Sequence, residues 1–281
     1  MNLIHAIFLG LIQGLTEFLP VSSTAHLSLA EHLMLGRGMP LAFDVLLHGG
    51  TLLALTVYFR TELRRVALGI LGRDAQGRRL ASWLLVAMLP TGVFAMATRH
   101  LKEISKEHLW VYGLGLILTA GLLAGANRRA SARPGRPVEE LGTWDALAVG
   151  TIQGLGGGFG LSRSGSTIAM GVFRGLALPA SARFSFLLGI PTIAAAALVE
   201  ARPLLKALLM GRPLTGELAF PPGSASPALL CGAGVAVAAI SGYLAIGLLD
   251  RFTRRPRLMG FAAYCAGAGA LMLGLGLLGT R

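Results

Sequence analysis

Six stretches of mostly apolar residues dominate the chain: 41–59, 80–97, 109–126, 182–199, 228–249 and 259–279. A run of about 20 such residues spans the hydrocarbon core of a bilayer as an α-helix. Two further segments are apolar but broken. Segment 2–36 is interrupted by Glu17, Pro20, Ser22-Ser23-Thr24 and His26, and segment 143–178 by Gly156-Gly157-Gly158 and Ser162-Arg163-Ser164. Only 14% of the residues are charged, against about 25% in a soluble domain. A water-soluble enzyme is thereby excluded. The net charge of +12 would suggest nucleic acid on a soluble chain. Here the apolar runs take precedence, and no nucleic-acid partner is expected. Cys231 and Cys265 lie inside apolar runs without metal-ligand spacing. The first basic residue is Arg37, so a cleaved signal peptide is not expected.

The charges orient the spans. Loops 60–79, 127–140 and 250–257 hold 14 arginines against five acids, whereas connections 98–108 and 200–227 hold three basic residues and two acids each. The positive-inside rule places the first set in the cytoplasm. Run 182–199 must then start on the side from which segment 143–178 enters, so that segment dips into the membrane and returns. Segment 2–36 does the same from outside. Non-helical backbone at such depth is tolerated only where it is buried in protein or lines a cavity.

The two halves resemble each other. Ile12-Gln13-Gly14-Leu15 recurs as Ile152-Gln153-Gly154-Leu155, and each copy is followed by a hydroxyl cluster. Phe43, Leu46, Leu47 and Thr51 recur as Phe184, Leu187, Leu188 and Thr192. The expected fold is an all-α polytopic membrane protein with an inverted-topology repeat, each unit a re-entrant helical hairpin plus three transmembrane helices. Residues 1–281 would form a single integral membrane domain. Repeat one would cover 1–126, a cytoplasmic linker 127–140 and repeat two 141–281. Broken helices in such repeats meet near the midplane and build a site there.

Ionisable groups inside membrane segments point to function. Gln13 and Glu17 are one helical turn apart and share a face. Pro20 ends their helix. In the second hairpin, Gly160-Leu161-Ser162-Arg163-Ser164-Gly165-Ser166-Thr167 is a glycine-rich turn opening a helix, which offers backbone N–H groups to an anion. Arg163 adds a fork that matches phosphate oxygens. The combination reads as phosphate handling. Glu17 would hold a divalent cation or act as base, and His26 or a serine would be nucleophile or proton relay. Each residue also has a plain structural reading. Ser22 and Ser23 suit helix caps, Glu17 a partner for Arg163, Gln13 interhelical glue, and Asp44 and His48 a mutual pair. Arg174 and Arg183 would snorkel to the cytoplasmic surface.

At these residues the chain resembles the undecaprenyl-diphosphate phosphatase family, the bacitracin-resistance proteins. Gln13 and Glu17 match its first motif, which runs on through Phe18-Leu19-Pro20-Val21-Ser22-Ser23-Thr24-Ala25-His26. Gly160, Ser162, Arg163, Ser164 and Thr167 match its second, and Ala182-Arg183-Phe184-Ser185-Phe186-Leu187-Leu188 is also similar. Three residues depart from the pattern. Phe159 stands for proline, Ala25 for glycine, and Gln13 is a variant that removes one carboxylate.

The resemblance implies a multi-pass enzyme of the bacterial inner membrane with its site open to the periplasmic side. It would convert undecaprenyl diphosphate to undecaprenyl phosphate and inorganic phosphate, recycle the lipid carrier for cell-wall polymers and give bacitracin resistance. A divalent cation, Mg2+ or Ca2+, would be the cofactor, held by Glu17 and Gln13. The expected catalytic residues are Glu17, His26, Ser23 and Arg163. Arg163, Ser162, Ser164, Thr167, Gly160 and Ser22 would bind the diphosphate. Undecaprenyl diphosphate and membrane lipid are the implied partners, and the sequence allows a homodimer without requiring one. The competing readings are a transporter or flippase for a phosphorylated polyprenyl lipid, and a non-catalytic lipid-binding protein.

Overall fold

The computed structural model of the chain describes residues 1–35, 38–100, 108–156 and 159–278. Most of connection 98–108, Arg37, Gly157, Gly158 and Arg281 lie outside the described residues. Among those described, helices account for the whole regular structure and no strand occurs. In chain order the helices are α1 (Leu3–Phe18), α2 (Ser23–Leu35), α3 (Leu41–Tyr58), α4 (Arg60–Ile70), α5 (Ala75–Ala97) and α6 (Leu109–Ala132). Then follow α7 (Thr143–Gly156), α8 (Arg163–Phe173), α9 (Leu178–Glu200), α10 (Arg202–Leu209), α11 (Pro227–Thr253) and α12 (Met259–Leu277).

Helices α3, α5, α6, α9, α11 and α12 are long and apolar enough to cross a membrane. They fall on the six expected runs, and the chain is a polytopic membrane protein. Their outward faces carry exposed Leu85, Leu89, Val93 and Met96 on α5, Leu118 on α6, and Ile240 and Leu244 on α11. Such an apolar exterior suits lipid rather than water. The two broken segments each form a helix pair, α1 with α2 and α7 with α8.

The expected loops are partly helical. Loop 60–79 contains α4, and connection 200–227 contains α10. Their charges masked an apolar face at helical spacing: Leu63 and Val66 turn inward on α4, Leu204 and Ala207 on α10. Helix α6 also continues through Ala132, beyond the apolar run. Asp74 caps α5 and ties it to α4. Its Oδ1 accepts the Gly77 N–H at 2.7 Å and its Oδ2 accepts Arg65 Nε–H at 3.2 Å. The Gly77 amide and then the Arg65 guanidinium hold this carboxyl below the usual aspartate range.

The helix pairs interlock with the opposite half of the chain. Helix α1 packs on α11, and α7 packs on α5. Gly14 and Gly154, the glycines of the two Ile-Gln-Gly-Leu copies, set the approach. A Cβ on Gly14 would lie 2.5 Å from the Ala238 carbonyl oxygen, and one on Gly154 2.7 Å from that of Thr91. The preceding glutamines have diverged. Gln153 Nε2 donates to Thr91 Oγ1 at 3.2 Å and Thr192 Oγ1 at 2.9 Å, joining α7 to α5 and α9. Gln13 Nε2 instead donates to Glu17 Oε2 at 3.4 Å. The apolar core formed by Phe18, Val21, Leu116, Ile168, Leu187 and Leu188 encloses the two helix breaks.

Candidate active site

Helix α1 stops at Phe18 because Pro20 brings no N–H to continue it. The chain then turns through Ser22, whose φ of 70° lies in the left-handed region that serine seldom adopts. That conformation lets Ser22 organise the start of α2. Its Oγ accepts the Ala25 N–H at 3.4 Å, and its carbonyl accepts the His26 N–H at 3.3 Å and His26 Nδ1–H at 2.8 Å. The unusual backbone falls next to the functional candidates, where such strain tends to concentrate.

The second break turns at Gly160, with φ of 74°. A Cβ there would lie 2.5 Å from the Tyr112 backbone, so both conformation and space require glycine. Ser162 then caps α8: its Oγ accepts the Gly165 N–H at 3.1 Å, and its own N–H donates to Thr119 Oγ1 at 3.0 Å. Helix α8 therefore begins at Arg163, with the positive end of its dipole at that residue.

The two breaks meet. Arg163 Nη2 donates to Glu17 Oε1 at 3.0 Å, and Ser164 Oγ donates to the Leu19 carbonyl at 3.2 Å. Ser23 Oγ–H donates to Glu17 Oε2 at 2.6 Å. Glu17 thus links an arginine from the second half of the chain to a serine from the first. The ion pair is buried: 8% of the Glu17 side chain and 15% of the Arg163 side chain are exposed. Two polar atoms here are buried without a hydrogen-bond partner among the described residues, Arg163 Nη1 and Gln13 Oε1. A buried guanidinium N–H without an acceptor is costly and suits an anion. The guanidinium lies over Gly189 of α9, where a Cβ would sit 2.5 Å from Nη1.

The other expected residues take supporting places. Thr167 Oγ1 donates to the Arg163 carbonyl at 2.7 Å and hydrogen-bonds Ser185 on α9. Ser162 Oγ and Ser164 Oγ lie 3.3 Å apart. His26 lies one turn beyond Ser22 and Ser23. Its Nε2 is 2.7 Å from Tyr264 Oη, and the rings stack at 5.6 Å with an 11° interplanar angle. With Nδ1–H bonded to the Ser22 carbonyl, Nε2 accepts from the tyrosine. Direct bonds therefore connect Gln13, Glu17, Ser23 and Arg163. Ser164 joins the breaks, His26 stands beside them, and Ser22, Gly160, Ser162 and Thr167 shape the turns.

Sequence reasoning missed Gly189 and Tyr264. Gly189 lies in an apolar run with no flag but its size. Tyr264 was legible only as a phenol inside an apolar helix, 238 residues from His26. Arg174 and Arg183, expected to snorkel, are part-exposed and pair with carboxylates. Arg174 Nε pairs with Asp145 Oδ1 at 3.0 Å, beside an Arg136 contact to Oδ2 at 2.9 Å. Arg183 reaches Glu62 at 3.2 Å and Glu139 at 3.9 Å. Asp44 and His48 do pair, with Nδ1 3.5 Å from Oδ1.

Residues 6–271 match the family described as bacitracin resistance protein BacA. The chain is 38% identical to an undecaprenyl-diphosphatase of Syntrophotalea carbinolica, over 94% of this chain and 95% of that one. It is 37% identical to one of Desulfosudis oleivorans, over 99% and 100%, and 34% identical to one of Chlorobaculum tepidum, over 99% and 96%.

Proposed function

The chain belongs to the bacitracin resistance protein BacA family, and on that premise we propose that it hydrolyses undecaprenyl diphosphate to undecaprenyl phosphate and inorganic phosphate. This activity recycles the lipid carrier for cell-wall polymers and gives bacitracin resistance. The observation that carries the reading is the Arg163–Glu17–Ser23 chain, in which a buried, unpartnered guanidinium N–H lies beside a carboxylate-bound hydroxyl. The relatives' names state a phosphatase, and nothing comparable favours the transporter reading. Phosphate release from undecaprenyl diphosphate by the purified protein tests the activity. A wild-type protein that binds the lipid and releases no phosphate with Mg2+ or Ca2+ supplied would overturn it.

Arg163 binds the diphosphate and offsets the charge that spreads over the phosphoryl oxygens in the transition state. The N-terminus of α8 supports it, with Ser162, Ser164, Thr167, Gly160 and Ser22 shaping the anion pocket. Glu17 Oε2 accepts the Ser23 proton as Ser23 Oγ attacks the terminal phosphorus. The P–O bond to the bridging oxygen breaks, and its electron pair leaves on undecaprenyl phosphate. Water then attacks the phosphoserine: the bond between Ser23 Oγ and phosphorus breaks, Glu17 returns its proton to Ser23 Oγ, and inorganic phosphate leaves with the oxygen and protons of the water. The bond to Glu17 favours Ser23 over His26 as nucleophile, while His26, held by Ser22 and Tyr264, relays protons. Glu17 and Gln13 would hold Mg2+ or Ca2+ through hard oxygen donors, with the Gln13 amide turned so that its unpartnered Oε1 replaces Nε2 beside Glu17. A cation there would neutralise phosphate charge.

Two substitutions probe the supports. Gly189→Ala is expected to fold normally, because the atom it meets is the end of a flexible side chain. Displacing the guanidinium should still cost about 100-fold in rate. Full activity in a folded Gly189→Ala protein would contradict the placement of Arg163. Tyr264→Phe keeps the stacked ring and loses the bond to His26. A drop of roughly 2–10-fold in kcat, with a shifted pH–rate profile, is expected. An unchanged pH profile would remove Tyr264 from the relay.

The same reading places the chain in the bacterial inner membrane with its site facing the periplasm, and treats 1–126 and 141–281 as inverted repeats joined by 127–140. The shared Gln-Gly copies and their reciprocal packing on α11 and α5 support the repeat.

A further inference from the structure

A second group of metal-ligating side chains lies apart from the Glu17–Arg163 pair. Asp44 and His48 stand one turn apart at the start of α3, and Glu200 is the last residue of α9. One donor atom from each lies within 4.8 Å of the others. We propose that Asp44, His48 and Glu200 bind a divalent transition-metal ion that ties α3 to α9. The proposal does not depend on the phosphatase reading.

Three features carry it. First, the donor set is one imidazole and two carboxylates, which suits zinc or manganese better than magnesium. Second, His48 Nδ1 lies 3.1 Å from the Asp44 carbonyl oxygen. When Nδ1–H donates there, the ring is oriented and the Nε2 lone pair is left available, the arrangement that positions ligating histidines. Third, the side chains are part-exposed, 24% for His48 and 31% for Asp44. That exposure leaves positions open for further ligands around an ion held by three protein ligands. The ligands come from both halves of the chain, so no local sequence motif announces them.

The donors Asp44, His48 and Glu200 differ from those of the Gln13–Glu17 pair, and the two sites can be separated. Detergent-purified protein is titrated with Co2+ as a spectroscopic probe, with His48→Ala, Glu200→Gln and Glu17→Gln in parallel. Wild type is expected to develop ligand-field absorption at one equivalent. His48→Ala and Glu200→Gln should each weaken binding at least about tenfold, while Glu17→Gln has a far smaller effect. Zn2+ should raise the unfolding temperature of wild type and not of His48→Ala. Glu200→Gln changes an exposed helix end, which protects the test against a misfolded His48→Ala protein. Wild type that binds no Co2+, or a folded His48→Ala that binds as wild type does, would overturn the proposal. A Glu17→Gln protein that loses binding as completely as His48→Ala would deny that the two sites are separate and overturn it too.

Discussion

Arg163→Ala is expected to lower phosphate release from undecaprenyl diphosphate roughly a thousandfold. The guanidinium is the one cation bonded to Glu17 among the described side chains, and it projects from the N-terminus of α8. Its loss removes the anchor for the diphosphate and the charge that stabilises the transition state. It also strands Glu17 as a buried carboxylate, a change that costs about 3–5 kcal/mol of stability when one partner of a buried pair is removed. Unfolding must therefore be measured beside activity. Arg163→Lys separates the effects: it keeps the charge and loses the bidentate fork, so it should recover stability more fully than rate. A folded Arg163→Ala protein with wild-type turnover would remove the arginine from the reaction.

Glu17→Gln is the second large effect. Glutamine has nearly the same shape, and its side-chain oxygen can still accept the Ser23 hydroxyl. It cannot take up the proton. The expected loss in kcat is about 100–1,000-fold, the range typical of a missing general base. The loss should fall on kcat far more than on KM, because a general base acts in the transition state. A raised KM with unchanged kcat would make Glu17 a binding residue and move the base elsewhere.

The route from sequence to site can be followed through particular residues. The six spans were legible because apolar length is a one-dimensional property. The meeting of the two broken segments was legible from charge: Glu17 and Arg163, embedded in otherwise apolar segments, each needed an opposite partner, and the observed 3.0 Å pair supplies it. Helices α4 and α10 were hidden because arginines and a lysine occupy their outer faces. The hydroxyls were harder still. Ser162, Ser164 and Thr167 were read as phosphate donors from their spacing. Each also bonds backbone or a neighbouring hydroxyl, so the same atoms hold the turn that presents Arg163. Spacing within a motif does not reveal that second duty. Tyr264 and Gly189 act across the helix bundle, on residues 238 and 26 positions away, and only the packing of α12 and α9 brings them in.

The central claim is that Glu17 and Arg163, from separate halves of the chain, act as one phosphatase site. A double-mutant cycle on phosphate release from undecaprenyl diphosphate tests it most directly, with Arg163→Ala, Glu17→Gln and the double variant compared with wild type in one detergent. Residues that work as a unit are strongly non-additive. The double variant is predicted to be no slower than the slower single variant, well short of the product of the two losses. Losses that multiply in full would contradict the claim, because the two residues would then be acting independently.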